Sequence, residues 1–323
     1  YLEIPALENY NLTQVCIKAN PDNEWEIDSS ELAKIGDTKM KALFICNPTN
    51  PTALSLSKRT TSNIAKIVKR KNPNLIVLAD NVYAPFVDQF NSLVNDLPYN
   101  TIGVYSFSKY FGVTGWRLGA ISLNDNNIID KKLLKRVSSS VNKRYSMVTN
   151  KPQSIPFIER LLLDSRGVAE GHTAGLSTPQ QVLMTLFAMH DYMDEKRVYN
   201  RMIKKLLKKR MTLLLEPVKY KLTESVMNSN YYIVMDLIKV SVYLTNDKEF
   251  GKYLLEHRDP LEFLILLAQK YGTVLLPAVG FAGPFWGIRV SIANLDTEKY
   301  PLIGQNIKNL MMFYYQEYKK NNP

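Results

Sequence analysis

The sequence predicts an α/β protein with a mostly parallel sheet, followed by a smaller α+β region at the carboxyl-terminal end. Apolar strand-like runs alternate with a helical segment in the first half, long helical segments follow, and short strands return in the last third. A chain of 323 residues with 46% hydrophobic content can bury a large core and usually forms two domains.

The first half contains three apolar runs that are typical of buried strands, at residues 41–48, 74–80 and 101–108. An amphipathic helix is predicted between the first two, with Ser57 as its N-cap and Asn72-Pro73 at its end. Strand, helix and strand at this spacing indicate a parallel sheet with right-handed crossovers. Because ligands collect at the carboxyl ends of such strands, we expect a site that includes Asn47, Asp80 and residues 106–109.

The second half is predicted to begin with a long helix over residues 177–215, with Ser177 as its cap and Pro179 in its first turn. A strand, a helix and a further strand follow at residues 231–237, 261–271 and 285–295. We therefore predict a large domain over residues 1–176, a connecting helix region over 177–215 and a small domain over 216–323.

The net charge of +11 raises the possibility of a nucleic-acid partner. The basic residues cluster at 66–71 and 204–210, and the second cluster shares a helix with apolar residues at helical spacing, namely Met202, Ile203, Leu206 and Leu207. Aromatic residues for stacking on bases are not interleaved with these lysines. The pattern favours a solvated helix face, and no nucleic-acid partner is predicted.

Several further classes of protein are disfavoured. Two cysteines, Cys16 and Cys46, cannot form a disulfide framework, so a reducing, cytoplasmic compartment is expected. No run of eighteen apolar residues is present, and no membrane span is predicted. The three histidines, His172, His190 and His257, lack metal-ligand spacing. The chain opens at Tyr1 in mid-pattern, and we expect that an N-terminal part is missing.

Lys109 is the first candidate for catalysis. It follows a predicted strand and stands among Phe107, Tyr110 and Phe111, where its amine would be partly desolvated. Such an amine loses its proton more readily and can form an imine with an aldehyde. The alternative is a lysine that extends across a loop into solvent.

Three other segments strengthen this candidate. Asp80, at a strand end, suits the protonated nitrogen of a pyridine ring, and Tyr83 follows it; the alternative is a helix-capping aspartate. The NPTNPT segment at residues 47–52 can aim one amide into a site, or can be a plain double turn. Arg289 projects from a strand opposite an apolar face and can bind a carboxylate, or form an internal salt bridge.

The sequence resembles fold type I pyridoxal-phosphate enzymes of the class I aminotransferase group. The resemblance lies in the order of its motifs: NP-x-NP, D-x-x-Y, S-x-S-K, an arginine eight residues after the lysine, and a late strand arginine. Residues 105–119 and 172–181 are most similar to the aspartate 4-decarboxylase (aspartate β-decarboxylase) subfamily. The resemblance covers essentially all 323 residues. It implies a three-layer αβα large domain and a smaller α+β domain.

The resemblance also implies a role for each candidate. Lys109 would be the Schiff-base lysine and proton shuttle, and Asp80 the partner of the pyridine nitrogen. Tyr83 and Asn50 would bond the phenolic oxygen of pyridoxal 5'-phosphate. Its phosphate would be held by Ser106 and Arg117, with Ser108 as a helper. Arg289 and Asn50 would bind the substrate, with Arg289 clamping its α-carboxylate. Ala53 departs from the glycine that is common at its position.

The implied activity is conversion of L-aspartate to L-alanine and carbon dioxide, with minor transamination, in a homodimer or larger homo-oligomer. An aspartate or aromatic aminotransferase, or a non-catalytic relative of the same fold, is the alternative. Lys143 and Arg144 could reach the distal carboxylate of the substrate or could lie at an exposed helix end.

Overall fold

The computed structural model describes residues 12–20, 23, 25–136, 138–139, 143–168, 176–222, 224–281 and 283–321. The strands in these ranges are β1 (Ala19–Asn20), β2 (Glu26–Ile27), β3 (Ala42–Cys46), β4 (Ile76–Asp80), β5 (Thr101–Ser106), β6 (Gly119–Leu123), β7 (Tyr232–Asp236), β8 (Leu276–Pro277) and β9 (Gly287–Ser291). The α-helices are α1 (Ser29–Ala33), α2 (Lys58–Lys71), α3 (Leu93–Asp96), α4 (Phe107–Tyr110), α5 (Phe157–Val168), α6 (Thr178–Met193), α7 (Val198–Leu215), α8 (Leu237–Thr245), α9 (Lys248–His257), α10 (Pro260–Tyr271) and α11 (Lys299–Asn321).

The larger sheet has the strand order β3-β4-β5-β6. Its first three strands are parallel, as predicted, and β6 returns antiparallel to β5. Cys46 pairs with Asp80, and Asp80 pairs with Val104, so the carboxyl ends of the three parallel strands lie side by side. This register brings the polar residues that follow each strand to one edge of the sheet.

Alternate residues of the strands bury opposite faces of this sheet. Val77 belongs to a cluster with Ile64 and Val68 of α2 on one face. Leu78 packs with Ile102 and with residues 128–129 on the other face. The sheet is therefore covered on both sides, which gives the predicted three-layer arrangement.

The predicted long helix over residues 177–215 is interrupted, and this part of the prediction is wrong. α6 ends at Met193 and α7 begins at Val198, with Arg197 in the left-handed region at φ 51°. The carboxylate of Asp194 accepts hydrogen bonds from the backbone amides of Val198 and Tyr199, at 2.8 and 2.9 Å. A carboxylate that satisfies free amides at a helix start favours a new helix over continuation of the old one.

The lysine-rich segment of α7 has the solvated face that its spacing predicts. Leu207 and Met211 are buried, whereas Lys208 and Lys209 face solvent. Met202 and Leu206, however, are exposed together with the lysines. The buried stripe is thus narrower than the sequence pattern indicates, because only one edge of the helix contacts the core.

The smaller sheet has the order β7-β9-β8 and is antiparallel. One face of β9 and its flanks is buried as predicted, through Trp286, Ile288, Val290 and Ile292. The core cluster that receives these side chains also contains Tyr83 and Tyr110 from the first half of the chain. This cluster therefore extends across the predicted domain division, which itself remains a prediction.

Candidate active site

Lys109 lies in the short helix α4, directly after the carboxyl end of β5. Its side chain is partly buried. Burial lowers the pKa of its amine, and the nearby positive charges of Arg289 and Arg117 lower it further. Within the described ranges, no carboxylate lies at salt-bridge distance from Lys109. The amine is therefore easier to deprotonate than that of a surface lysine, as the sequence suggested.

Two hydroxyls and a guanidinium gather beside Lys109. Ser106 caps α4, and its Oγ accepts a hydrogen bond from the amide of Ser108 at 3.2 Å. The same oxygen donates to the Oγ of Ser108 at 2.9 Å. Arg117 is held in the left-handed region at φ 54°, and its Nη1 donates to the carbonyl of Thr114 at 3.1 Å. Most N–H donors of its exposed guanidinium remain for an anion such as a phosphate.

Asp80 ends β4, and its Oδ1 accepts a hydrogen bond from the amide of Val82 at 3.1 Å. Burial raises the pKa of this carboxyl group, and the hydrogen bond from the Val82 amide partly offsets that rise. Cys46 lies beside it in the sheet, and its Sγ donates to the carbonyl of Pro48 at 3.2 Å. Burial, with a smaller contribution from Asp80, raises the pKa of the Cys46 thiol to about 12, so it stays protonated. A half-buried carboxylate in this setting suits a cationic partner, such as a protonated ring nitrogen.

The two Asn-Pro pairs have different roles. Asn47 is buried; its Nδ2 donates to the carbonyl of Asn91 at 2.8 Å, and its Oδ1 accepts from the amide of Leu56 at 2.9 Å. Asn50 instead accepts a hydrogen bond at Oδ1 from Nη1 of Arg289, at 3.0 Å. The first asparagine therefore holds the loop, and the second lies at the site.

Ala53 lies in the left-handed region, with φ 63°, and is fully buried. Glycine adopts this conformation without strain, which accounts for the glycine that the family resemblance leads one to expect at this position. The carbonyl of Ala53 accepts a hydrogen bond from the amide of Ser229 at 2.8 Å. The loop is thus fixed to a segment that precedes β7.

Arg289 is enclosed by two aromatic rings. Its guanidinium lies 4.0 Å from the ring centre of Phe281 and 4.7 Å from that of Tyr232. Its Nε is buried and has no hydrogen-bond partner among the described residues. A guanidinium that is fixed by rings and an amide, with donors left over, can bind a carboxylate in a bidentate manner.

Tyr83 is buried, and its hydroxyl oxygen lies 2.9 Å from that of Tyr232. Burial is the largest cause that raises the pKa of Tyr83, followed by the nearby Tyr232. The hydroxyl therefore stays protonated and can donate a hydrogen bond to a phenolic oxygen.

The charges of the site fit pyridoxal phosphate. The positive charges of Arg289 and Arg117 act on the amine of Lys109, and Asp80 supplies the carboxylate at the end of the neighbouring strand. The basic groups of Lys109, Arg117 and Arg289 outnumber the one carboxylate, so the site favours an anionic ligand. The Nε of Arg289 has no hydrogen-bond partner among the described residues, so it can bind a carboxylate. Burial raises the pKa of Asp80, so its carboxylate would be stabilised by a cationic nitrogen. The residues would accommodate a cofactor with a phosphate, a pyridine nitrogen and an aldehyde.

Three residues of the site were not identified from the sequence. Tyr232 and Phe281 enclose Arg289, and Cys46 adjoins Asp80. The position of Cys46 at the end of a predicted strand was a usable signal. Tyr232 is far from Arg289 in the sequence, and Phe281 precedes Arg289 by eight residues, but no local pattern distinguishes either ring from core aromatics.

Other candidates lie outside this site. Arg144 forms a salt bridge with Asp164 at 2.9 Å, which favours the alternative of an exposed position. His190 packs against the ring of Tyr199, and His257 lies near Glu256. His172 lies outside the described residues. In the part of the chain that the structure describes, no group of three or more potential ligands could hold a metal ion, and no helix is long and apolar enough to cross a membrane.

One known protein is similar to this chain over almost its whole length, and others over shorter parts. A bifunctional aspartate aminotransferase and L-aspartate beta-decarboxylase from a Pseudomonas species is 38% identical over 322 residues, which is 99% of the chain and 60% of that protein. An aspartate aminotransferase from Sulfolobus acidocaldarius is 29% identical over 145 residues, or 44% of the chain and 35% of that protein. The chain thus spans about three fifths of the length of its 38% identical relative.

Solved structures share the fold. A tetra mutant of Thermus thermophilus aspartate aminotransferase superposes with a TM-score of 0.64 at 19% identity, covering 98% of this chain and 70% of that one. Thermotoga maritima aspartate aminotransferase gives a TM-score of 0.63 at 18% identity, covering 97% and 68%. At such identities the likeness concerns the fold alone, which confirms fold type I. Residues 4–303 match the family described as aminotransferase class I and II. The chain therefore belongs to the class I and II aminotransferase family.

Proposed function

We propose that this protein is a pyridoxal-phosphate enzyme that converts L-aspartate to L-alanine and carbon dioxide, with minor transaminase activity. The observation that carries the proposal is the position of Lys109 at the carboxyl end of β5, beside the strand that ends at Asp80, where burial and the charges of Arg289 and Arg117 lower the pKa of its amine. The name of the 38% identical Pseudomonas relative, which includes both activities, supports aspartate as the substrate.

The cofactor would be held by the residues already described. Lys109 would bond its aldehyde carbon, Ser106, Ser108 and Arg117 its phosphate, and Asp80 its ring nitrogen. Tyr83 and Asn50 would bind its phenolic oxygen. When bound, pyridoxal phosphate supplies a cationic ring that accepts electrons from the substrate.

The side chains of the chain then perform the binding and proton transfers. Arg289, fixed by Asn50 and the two rings, binds the α-carboxylate and orients the substrate. Asp80 keeps the proton on the ring nitrogen. Lys109, with its lowered pKa, takes the proton from the α-carbon and returns it in a later step. Each of these groups is positioned before the substrate arrives, which avoids reorganisation during reaction.

An aspartate aminotransferase is the second candidate, and membership of the aminotransferase family favours it. Decarboxylation and transamination use the same residues, so they differ in how the distal carboxylate is handled and in how much water enters. A decarboxylase forms alanine without a 2-oxo acid, whereas an aminotransferase needs a 2-oxo acid to turn over repeatedly.

We also propose that the protein assembles as a homodimer or larger homo-oligomer. Four apolar side chains of α6 form an exposed stripe at intervals of four, three and four residues: Val182, Leu186, Met189 and Met193. Such a stripe is the pattern with which helices pack against each other. A second copy of the chain is the partner that we propose for it.

The function is tested by a product assay. The protein is incubated with pyridoxal phosphate and L-aspartate without any 2-oxo acid, and alanine and carbon dioxide are followed over many turnovers. We expect catalytic alanine formation, and a loss of at least about a hundredfold in Lys109→Ala, because a positioned proton-transfer group contributes roughly 10²- to 10⁴-fold. Arg144→Gln, which changes a cation paired with Asp164, is the matched control and should retain activity.

The outcomes separate the candidates. Alanine that forms only after addition of a 2-oxo acid selects the aminotransferase. Equal product formation by Lys109→Ala and the unsubstituted protein contradicts the proposed role of the lysine. Binding of pyridoxal phosphate without any product from aspartate favours the non-catalytic relative.

A further inference from the structure

Tyr232 connects the two halves of the candidate site. It lies at the start of β7 and is buried. Its hydroxyl oxygen is 2.9 Å from that of Tyr83, and its ring lies 4.7 Å from the guanidinium of Arg289. One side chain therefore contacts both the tyrosine on the cofactor side and the arginine on the substrate side.

The hydrogen bond between the two tyrosines has a preferred direction once a ligand oxygen is bound. A tyrosine hydroxyl has one proton to donate and can also accept. If Tyr83 donates to Tyr232, its proton is no longer available for the phenolic oxygen of the cofactor. If Tyr232 donates to Tyr83, the proton of Tyr83 remains available. A hydroxyl that accepts one hydrogen bond also becomes a stronger donor of the next.

The titratable groups around Tyr83 bear on whether its hydroxyl keeps a proton to donate. Its titratable neighbours are Tyr232, Cys46 and Tyr231. Burial raises the pKa of Tyr83, the pKa of the Cys46 thiol is raised to about 12, and burial also raises the pKa of Tyr231. All three groups stay neutral at physiological pH, so Tyr83 keeps the proton that it can donate.

The ring of Tyr232 has a separate role at Arg289. Together with Phe281 it encloses the guanidinium, while Asn50 accepts from one nitrogen. Aromatic faces attract a cation and restrict its orientation without using its N–H donors. The donors of Arg289 that remain are thus kept for a carboxylate.

We propose that Tyr232 is a positioning residue, which donates its hydroxyl proton to Tyr83 so that Tyr83 can donate to the cofactor, and whose ring holds Arg289 at the carboxylate position. This inference rests on the proposed function. The two effects are separable, because the hydroxyl of Tyr232 serves Tyr83 and its ring serves Arg289.

The hydroxyl is tested with Tyr232→Phe, which keeps the ring. The protein is loaded with pyridoxal phosphate, and the absorbance of the bound cofactor is titrated with pH. We expect the apparent pKa of the bound chromophore to rise by about half a pH unit, because a weaker hydrogen bond from Tyr83 leaves more negative charge on the phenolic oxygen. Tyr83→Phe should raise it further. Tyr231→Phe, the same substitution at the neighbouring buried tyrosine, is the matched control and should not change it.

The ring is tested without cofactor, through the binding of succinate as an unreactive dicarboxylate in calorimetry. Tyr232→Phe should bind succinate within about twofold of the unsubstituted protein, whereas Tyr232→Leu should bind it roughly three- to tenfold more weakly. Phe281→Leu, which removes the opposite ring, should show a similar loss and provides a second variant if Tyr232→Leu does not fold.

The results distinguish this inference from the proposed function. Identical titrations for Tyr232→Phe and the unsubstituted protein, or unchanged succinate affinity in both leucine variants, would overturn the role of Tyr232 and leave the proposed function intact. Failure of the unsubstituted protein to bind pyridoxal phosphate would overturn both.

Discussion

At the scale of single residues, the charge of Lys109 decides what the site can do. Its amine is partly buried and lies near two guanidinium groups, and each of these factors disfavours the protonated form. Because the folded protein binds this proton less tightly than the unfolded chain, protonation of Lys109 opposes folding. That penalty diminishes as the pH rises through the lowered pKa towards the ordinary value of 10.5.

The first residue-scale prediction concerns the two arginines. Arg289→Gln should raise the pKa of Lys109 more than Arg117→Gln does, because Arg289 has the larger electrostatic effect on the amine. The pKa is measured without cofactor, from the pH dependence of the reaction of Lys109 with an amine-specific reagent, followed by mass spectrometry.

The control for this prediction is Arg144→Gln, since Arg144 is paired with Asp164 and should leave the reactivity of Lys109 unchanged. A titration of Lys109 that coincides with that of exposed lysines would contradict the lowered pKa. Equal shifts in all three variants would show that net charge, rather than proximity, is responsible.

At the scale of elements, the loop over residues 47–56 joins the sheet to the rest of the site. Asn47 is buried and bonds the backbone at both ends of its amide. Asn50 contacts Arg289 instead. The loop is also bonded to the segment before β7, through the amide of Ser55 and the carbonyl of Met227. The two asparagines occur in the same local sequence, and their roles follow from what lies next to each.

We predict different consequences for the two substitutions to alanine. Asn47→Ala should lower the free energy of unfolding by about 2 kcal/mol, because it leaves buried backbone groups without partners. Asn50→Ala should change it by less than about 0.5 kcal/mol, but should weaken succinate binding, because Arg289 loses the acceptor that orients it. Urea unfolding and calorimetry measure the two effects. Equal destabilisation by both substitutions would contradict the division of roles.

At the scale of the whole molecule, two features shape the protein. One hydrophobic cluster spans the parts that carry the larger and the smaller sheet, with Tyr83 and Tyr110 packed in it together with Met235 and Trp286. In contrast, α6 has no buried residue. The shared core cluster fixes Asp80 and Lys109 relative to Arg289. The exposed apolar stripe of α6 is typical of a surface that contacts a partner.

The proposed self-association can be tested at that stripe. Leu186→Glu should shift the protein towards monomers in analytical ultracentrifugation, because a charge at an apolar contact is costly to desolvate. Leu261→Glu is the matched control, since Leu261 on α10 is 53% exposed and Leu186 is 54% exposed. A protein that is monomeric at all concentrations, or an equal shift in both variants, would contradict the assignment of this surface.

Much of the site could be predicted from the sequence because local patterns identify it. Asp80 and Ser106 end strands whose apolar runs are evident, and Arg289 alternates with the buried Ile288 and Val290. The interruption between α6 and α7 could not be predicted from apolar spacing, because a single aspartate side chain that caps the new helix decides it.

The sequence by itself determined the parallel sheet, the edge at which the site lies, the lysine and the family resemblance, since each depends on residues close together in the chain. Only the tertiary structure decided which asparagine contacts Arg289, which rings enclose it and that Tyr232 meets Tyr83. The Tyr83–Tyr232 and Asn50–Arg289 contacts join residues 149 and 239 positions apart, respectively. Such contacts cannot be predicted from residue spacing, because the packing of the whole core, rather than any local preference, brings these residues together.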